Sequence, residues 1–324
     1  MDSTTNDSKN NQLIDKIAKI FKDISFQLDS SDGQTEVAHA LNKTVLVGGK
    51  RLRPLFTYLF SNLVGVKDDY AKNLLCKSIE FVHAASLAHD DVIDNATLRR
   101  GEPSINLVVG NKKSILAGDF LLADVIQNLS ELNNGKVLSS MAKTIKELSL
   151  GEWLQHDLLV TRKYNDTSFE DISILKTSSV LKWCVVGPMH FVGLEGDVVE
   201  EGARFGESLG VGFQLIDDVL DFQSSANKDL HLDLKNNQLT SVTYRYLKDK
   251  NLLKTFVDGE DLEKLVDVED IGMAVSHVKA QAMRYLDQAE VHFSNITNFL
   301  EAGKLNPSKV AISYLIKQLR DRVN

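Results

Sequence analysis

The chain has 324 residues, 43% hydrophobic and 25% charged, with a formal net charge of −8. Only 4 residues are proline, well under the usual level of about 5%, which excludes collagen-like, mucin-like and proline-rich disordered chains and argues against a turn-rich β-sandwich. The acidic balance argues against a general nucleic-acid binder, and the 2 cysteines, Cys76 and Cys184, form neither a disulfide framework nor a zinc-ligand pattern.

Residues 1–11 are polar and read as a flexible tail without the apolar core of a signal peptide. From Leu13 onward apolar residues recur at spacings of three and four, the helical period. The pattern predicts helices over 12–29, 35–47, 52–65, 68–94, 112–132, 135–160, 168–195, 197–224, 238–249, 259–299 and 307–322. Loops are expected at 30–34, 95–111, 164–167 and 225–237, and no strand alternation of useful length is present. With no repeat and no low-complexity linker, residues 12–324 are expected to form a single all-α domain. The longest apolar stretches, 115–126 and 184–194, are interrupted and fall short of the roughly 18 apolar residues of a membrane span. The expectation is a cytoplasmic protein in a reducing compartment, without stable membrane insertion and without a nucleic-acid partner.

Two runs carry the most chemistry. Asp90-Asp91-Val92-Ile93-Asp94 closes one predicted helix, and Asp217-Asp218-Val219-Leu220-Asp221 lies near the end of another. At about 100° per residue, Asp90 and Asp94 sit about 40° apart on one face, as do Asp217 and Asp221. Like charges one turn apart repel, so each pair costs stability unless a cation lies between them. Hard oxygen ligands suit magnesium, which is held by one or two carboxylates plus substrate phosphates. Asp68-Asp69, by contrast, reads as a helix start at the positive end of the dipole.

Basic residues stand beside these acids. Lys50, Arg51 and Arg53 follow Gly48-Gly49, and Arg99-Arg100-Gly101 follows the first acidic run. His83 shares a face with Asp90; Gly210 and Gln214 share one with Asp217. That combination suits a diphosphate bridged to the carboxylates by magnesium and gripped by Arg and Lys on its other oxygens. Read from the residues alone, salt bridges between neighbouring helices account for the same charges, His83 for a core histidine and Phe213 for a core aromatic.

The ordered runs GGKRLRP, EFVHAASLAHDDVIDNATLRRGEPSIN, GNKKSILAGDFLL and FQLIDDVLDF resemble the trans-isoprenyl diphosphate synthases, most closely their long-chain members, over residues 40–245. The resemblance implies an all-α bundle around a central cavity, the isoprenoid synthase fold, usually as a homodimer. It implies a head-to-tail condensation of isopentenyl diphosphate onto an allylic diphosphate, with three magnesium ions per active site. By position, Asp90, Asp94 and Asp217 become the main magnesium ligands, with Asp91, Asp218 and Asp221 assisting. Arg99, Lys176 and Lys228 would hold the allylic diphosphate; Lys50, Arg53, His83 and Arg100 would hold isopentenyl diphosphate. Thr177, Gln214 and Gln155 would line the reacting centre, with Phe213 near the cation.

One segment departs from the family pattern. Where two Gly-Lys pairs are usual, this chain has Asn227-Lys228 and Asn237-Gln238. Asn tolerates a left-handed turn better than most residues, but Gln238 supplies no charge. Ala85 and Ser86, five and four residues before Asp90, are small where short-chain synthases often carry an aromatic plug, so a long product of some 30–50 carbons is expected. The competing readings are a short-chain (farnesyl or geranylgeranyl) synthase, a class I terpene cyclase and a non-catalytic subunit of a heteromeric synthase.

Overall fold

A computed structural model describes residues 24–28, 35–222, 234, 236–303 and 306–323. In chain order the helices are α1 (Thr35–Lys43), α2 (Leu52–Leu63), α3 (Asp69–Ile93), α4 (Ile105–Val109), α5 (Asn111–Glu131), α6 (Gly135–Thr161) and α7 (Ser168–Ser173). A π-helical turn, Ile174–Ser178, leads into α8 (Ser179–Phe191) and α9 (Asp197–Leu220). After them come α10 (Ser241–Asp249), α11 (Leu253–Val257), α12 (Leu262–Leu265), α13 (Gly272–Phe299) and α14 (Pro307–Asp321). The fold is all-α, as expected. No helix among the described residues is long and apolar enough to cross a membrane.

The chain divides into two units. The first contains the described residues up to Ile145, Trp183–Val199 and Ala302–Ala311. Its centre is α3, packed against α2 and α5. As expected, Asp68 caps α3: its carboxylate accepts from the Tyr70 amide at 2.9 Å, satisfying an amide that the helix cannot. Leu75, Ile79, Phe81 and Val82 of α3, Leu59 and Phe60 of α2, and Leu121 and Val125 of α5 are all buried. Burial of each such side chain contributes about 1.5–3 kcal/mol.

The second unit contains Lys146–Lys182, Glu200–Glu301 and the described residues from Ile312. In it α10 packs on α13, and Phe205 and Phe293 meet with ring centroids 5.5 Å apart. A β-carbon on Gly206 or Gly210 of α9 would overlap the backbone of Lys182 or Ser178. The two glycines therefore let α9 lie directly against the residues that follow and include the π turn.

Several helix boundaries differ from the sequence reading. Within the expected helix 12–29, residues 24–28 are irregular and the rest lies outside the described residues. The 168–195 helix is interrupted by the π turn, which carries Lys176 and Thr177. The 259–299 helix is broken: Val266 is extended, and the Asp267 amide donates to the Tyr246 hydroxyl instead of continuing a helix. α11 was not anticipated, because its five residues are too few to show a period. The 95–111 loop contains a ribbon of β1 (Leu98–Arg99) and β2 (Glu102–Pro103), followed by α4. Arg100 and Gly101 both take positive φ at its turn (55° and 84°), the combination that matches strand twist in a two-residue hairpin.

Candidate active site

In the first unit the last turns of α3 carry His83, Ser86, Asp90 and Asp94 along one face. Asp91 points elsewhere and is fully buried. It accepts from Arg99 Nε at 2.7 Å, with the Ile105 amide 3.4 Å from its other oxygen. The middle carboxylate thus ties α3 to the ribbon and to α4. Asp90 is half-buried and Asp94 exposed.

The glycine-rich turn packs against the ribbon. Gly48 and Gly49 have φ of 69° and 81°, open to glycine at no steric cost. A β-carbon on Gly49 would also sit 2.9 Å from an Arg100 guanidinium nitrogen. Arg100 Nη1 donates to the Val47 carbonyl at 2.7 Å. Arg51, with φ of 49°, turns inward: it pairs with the buried Glu80, donates to the Leu46 carbonyl and lies 5.2 Å from the Phe26 ring centroid. Lys50 stays exposed and Arg53 half-buried. His83 sits within the field of Arg53, Arg100, Arg99 and Arg51; desolvation first, and then these cations, hold its imidazole well below its ordinary range. The result is a neutral histidine in electropositive surroundings. Of the residues expected around isopentenyl diphosphate, the structure brings Arg53, His83 and Arg100 near one another, with Arg99 of the expected allylic set beside them. Sequence reasoning missed Arg51 and Glu80 as the pair that pins the turn; the one available signal was a lone Glu in the apolar run before His83.

In the second unit a hydrogen-bond chain runs from the π turn to α10. Thr177 Oγ1 donates to Gln214 Oε1 at 3.0 Å, and Gln214 Nε2 donates to Asp218 Oδ1 at 3.0 Å. Asp218 Oδ2 accepts from the Ser241 amide at 3.1 Å and its hydroxyl at 2.6 Å. Burial raises the Asp218 carboxyl above its ordinary range, and the Ser241 and Gln214 donors offset only part of that rise. Asp217 instead meets Arg322, whose Nη1 donates at 3.1 Å and whose guanidinium lies 5.8 Å from the Phe213 centroid. Lys176 pairs with Glu152 and donates to Gln155 at 2.9 Å. Ser241 and Arg322 escaped the sequence reading because both are far from the acidic run in the chain.

Asn237 takes the left-handed conformation expected of it, with φ of 55°. Its side-chain oxygen accepts from the Leu262 amide at 2.7 Å. Asn227 and Lys228 lie outside the described residues. Ser86 is half-buried and Ala85 fully buried; on an ideal helix they sit about 40° and 140° from Asp90 respectively. Among the described residues no three His, Cys, Asp or Glu side chains cluster into a complete metal cage. What each unit offers is a carboxylate pair one turn apart, Asp90 with Asp94 and Asp217 with Asp221, a donor set that fits a hard divalent cation whose remaining ligands come from elsewhere.

A polyprenyl synthetase family model matches residues 34–273. The chain belongs to the polyprenyl synthetase family. It is 31% identical over 258 residues to solanesyl diphosphate synthase 1 of Arabidopsis thaliana, covering 75% of this chain and 63% of the relative. It is 34% identical over 224 residues to solanesyl-diphosphate synthase 2 of Oryza sativa subsp. japonica, covering 66% and 55%. It therefore spans less than two thirds of the length of these two relatives. A decaprenyl diphosphate synthase structure from Rhodobacter capsulatus has a TM-score of 0.78 at 23% identity, covering 98% of this chain and 97% of that one. The all-α isoprenoid synthase fold expected from the motifs is the fold of this family member.

Proposed function

We propose that this family member is a magnesium-dependent trans-prenyltransferase that joins isopentenyl diphosphate head-to-tail to an allylic diphosphate and releases a long all-trans product. The observation that carries this reading is a carboxylate pair one turn apart in each acidic run, Asp90 with Asp94 and Asp217 with Asp221. The middle carboxylates divide the labour: Asp91 ties α3 to the ribbon and Asp218 ties α9 to α10. Asp90, Asp94 and Asp217 would be the principal ligands, Asp221 a further one, with three ions per site in this reading. Magnesium, when bound, supplies Lewis-acid stabilisation of the departing diphosphate.

The remaining work falls to this chain's own groups. Lys176, Arg99 and Lys228 would hold the allylic diphosphate, and Lys50, Arg53, Arg100 and neutral His83 the isopentenyl diphosphate. The allylic carbon–oxygen bond breaks and its electron pair leaves on the diphosphate. The isopentenyl double bond attacks the resulting cation, a carbon–carbon bond forms, and a proton is lost to the released diphosphate. Thr177, Gln155 and Gln214 would line this centre with Phe213 facing the positive charge. Exclusion of water from this centre would protect the cation from capture. The small pair Ala85 and Ser86 supports a long product, as do the solanesyl, hexaprenyl and decaprenyl activities named for relatives.

We assign residues 12–324 to one catalytic domain. A homodimer is supported by exposed apolar side chains on α5, Ile115, Leu116 and Ile126, a stripe that a second copy would cover. Cys76 and Cys184 as buried thiols support a reducing compartment such as the cytoplasm. The test is incubation of the purified chain with farnesyl diphosphate, labelled isopentenyl diphosphate and magnesium. Long linear labelled products are expected. A cyclic hydrocarbon without label would identify a terpene cyclase instead, and turnover only after addition of another subunit would identify a non-catalytic partner.

A further inference from the structure

The second unit holds a cavity of about 270 Å³ that the proposed reaction does not use. Its floor is apolar: Phe169, Val211, Leu215 and Val278. Arg245 and Lys248 of α10 border it one turn apart, and His277, Gln281 and Arg284 of α13 border it at spacings of four and three, so each set shares one helix face. Val211 and Leu215 lie on one face of α9, and Asp217 is displaced from Val211 by about 120° around that helix. The cavity therefore opens on a different side of α9 from the Asp217 carboxylate.

The charges around it are unequally matched. Lys248 pairs with Asp166, which also accepts from the Tyr244 hydroxyl at 3.0 Å. Glu170 is engaged by the Tyr285 hydroxyl. Arg245 pairs with Asp249 at 2.8 Å, outside the lining, and its Nη1 lies 3.2 Å from His277 Nε2. Arg284 makes no hydrogen bond or ion pair with another described residue. In a chain of net charge −8, the lining carries three cations, Arg245, Lys248 and Arg284, against two carboxylates, Asp166 and Glu170, and Arg284 is the cation that these acids leave unmatched. Arginine forks match phosphate oxygens, and the apolar floor takes a short hydrocarbon.

We propose that this cavity is a second binding site, for a small phosphate or diphosphate ester with a short apolar group, its oxygens held by Arg245, Lys248 and Arg284. The site touches the second acidic run through one residue. Ser241 lines the cavity while its amide and hydroxyl both donate to Asp218.

The test is calorimetric titration of the full chain in EDTA, without turnover, using dimethylallyl diphosphate and, separately, inorganic pyrophosphate. Arg284→Glu is expected to weaken dimethylallyl diphosphate binding at least tenfold, while Lys176→Ala, which removes a cation of the expected allylic site, leaves that event intact. Pyrophosphate is expected to bind more weakly than the ester, since it cannot use the floor. Arg284→Gln, at an exposed side chain, is expected to melt like the parent chain and to show an intermediate loss, which separates a binding defect from misfolding. The proposal is overturned if no heat appears at millimolar ligand, if binding is unmoved in Arg284→Glu, or if it is lost in Lys176→Ala. Equal affinity for pyrophosphate and the ester would overturn the apolar half of the assignment.

Discussion

Arg99 donates to Asp91 at 2.7 Å, and Asp91 has no exposed surface. The central aspartate of the first acidic run is thus an internal tie between α3 and the ribbon that carries Arg99 and Arg100. Removing one partner of a buried ion pair typically costs about 3–5 kcal/mol. Asp91→Ala is therefore expected to lower the urea midpoint substantially. Asp90→Asn, at a half-buried position, is expected to leave the midpoint nearly unchanged and to cut turnover by about a hundredfold or more, the effect of losing a metal ligand. Urea titrations paired with turnover assays check both, and equal behaviour of the two variants would refute the division of labour.

Metal dependence follows from the carboxylate pairs. EDTA is expected to abolish turnover and excess magnesium to restore it. Activity that survives chelation would sink the ligand assignment of Asp90, Asp94 and Asp217.

The glycines of α9 make a separate prediction. Gly210 lies where a β-carbon would overlap Ser178, and backbone cannot move aside cheaply. Gly210→Ala is expected to push α9 from the π turn and break the Thr177–Gln214 hydrogen bond. Stability should fall by about 1–3 kcal/mol, and turnover should fall further than Thr177→Val alone reduces it. A variant with unchanged melting temperature and activity would show that the close approach is dispensable.

Product length separates the two small residues on α3. Ser86→Phe is expected to shorten the prenyl chain, read by chromatography of the dephosphorylated products, with little change in melting. Ala85→Phe is expected to shorten it as well but to destabilise, because Ala85 is fully buried and overpacking costs about 1–3 kcal/mol. Unshortened products from both would place the channel elsewhere.

His83 sets a pH dependence of stability. Its folded-state pKa is lowered, by desolvation and then by the neighbouring guanidiniums, relative to an unfolded value of about 6.5. Below that pH the unfolded chain binds a proton that the folded chain does not. Stability contributed at this site is therefore present above about pH 6.5 and lost as pH falls, by at most about 1.4 kcal/mol per pH unit. Urea midpoints at pH 5.5 and 7.5 should differ more in the parent chain than in His83→Gln. An unchanged difference would mean that His83 is not held neutral.

Much of this molecule was legible in the residue order, because its main signals are local. Helical periodicity depends on neighbours three and four apart, so α3, α5, α6 and α9 could be placed to within a few residues. The same periodicity put Asp90 with Asp94 and Asp217 with Asp221, since a helix face is an arithmetic property of spacing. Asn237 likewise adopted a left-handed turn that its side chain makes tolerable. What the chain order could not show was which of the aspartates would turn inward. Asp91 and Asp218 look identical to their neighbours in sequence, and only the arrival of Arg99 from the ribbon and of Ser241 from α10 gives them partners. The π turn, the Arg51–Glu80 pair and the cation-rimmed cavity have the same origin. Each depends on groups far apart in the chain meeting in a desolvated place, where an unmatched charge is costly, and that matching is decided by tertiary packing alone.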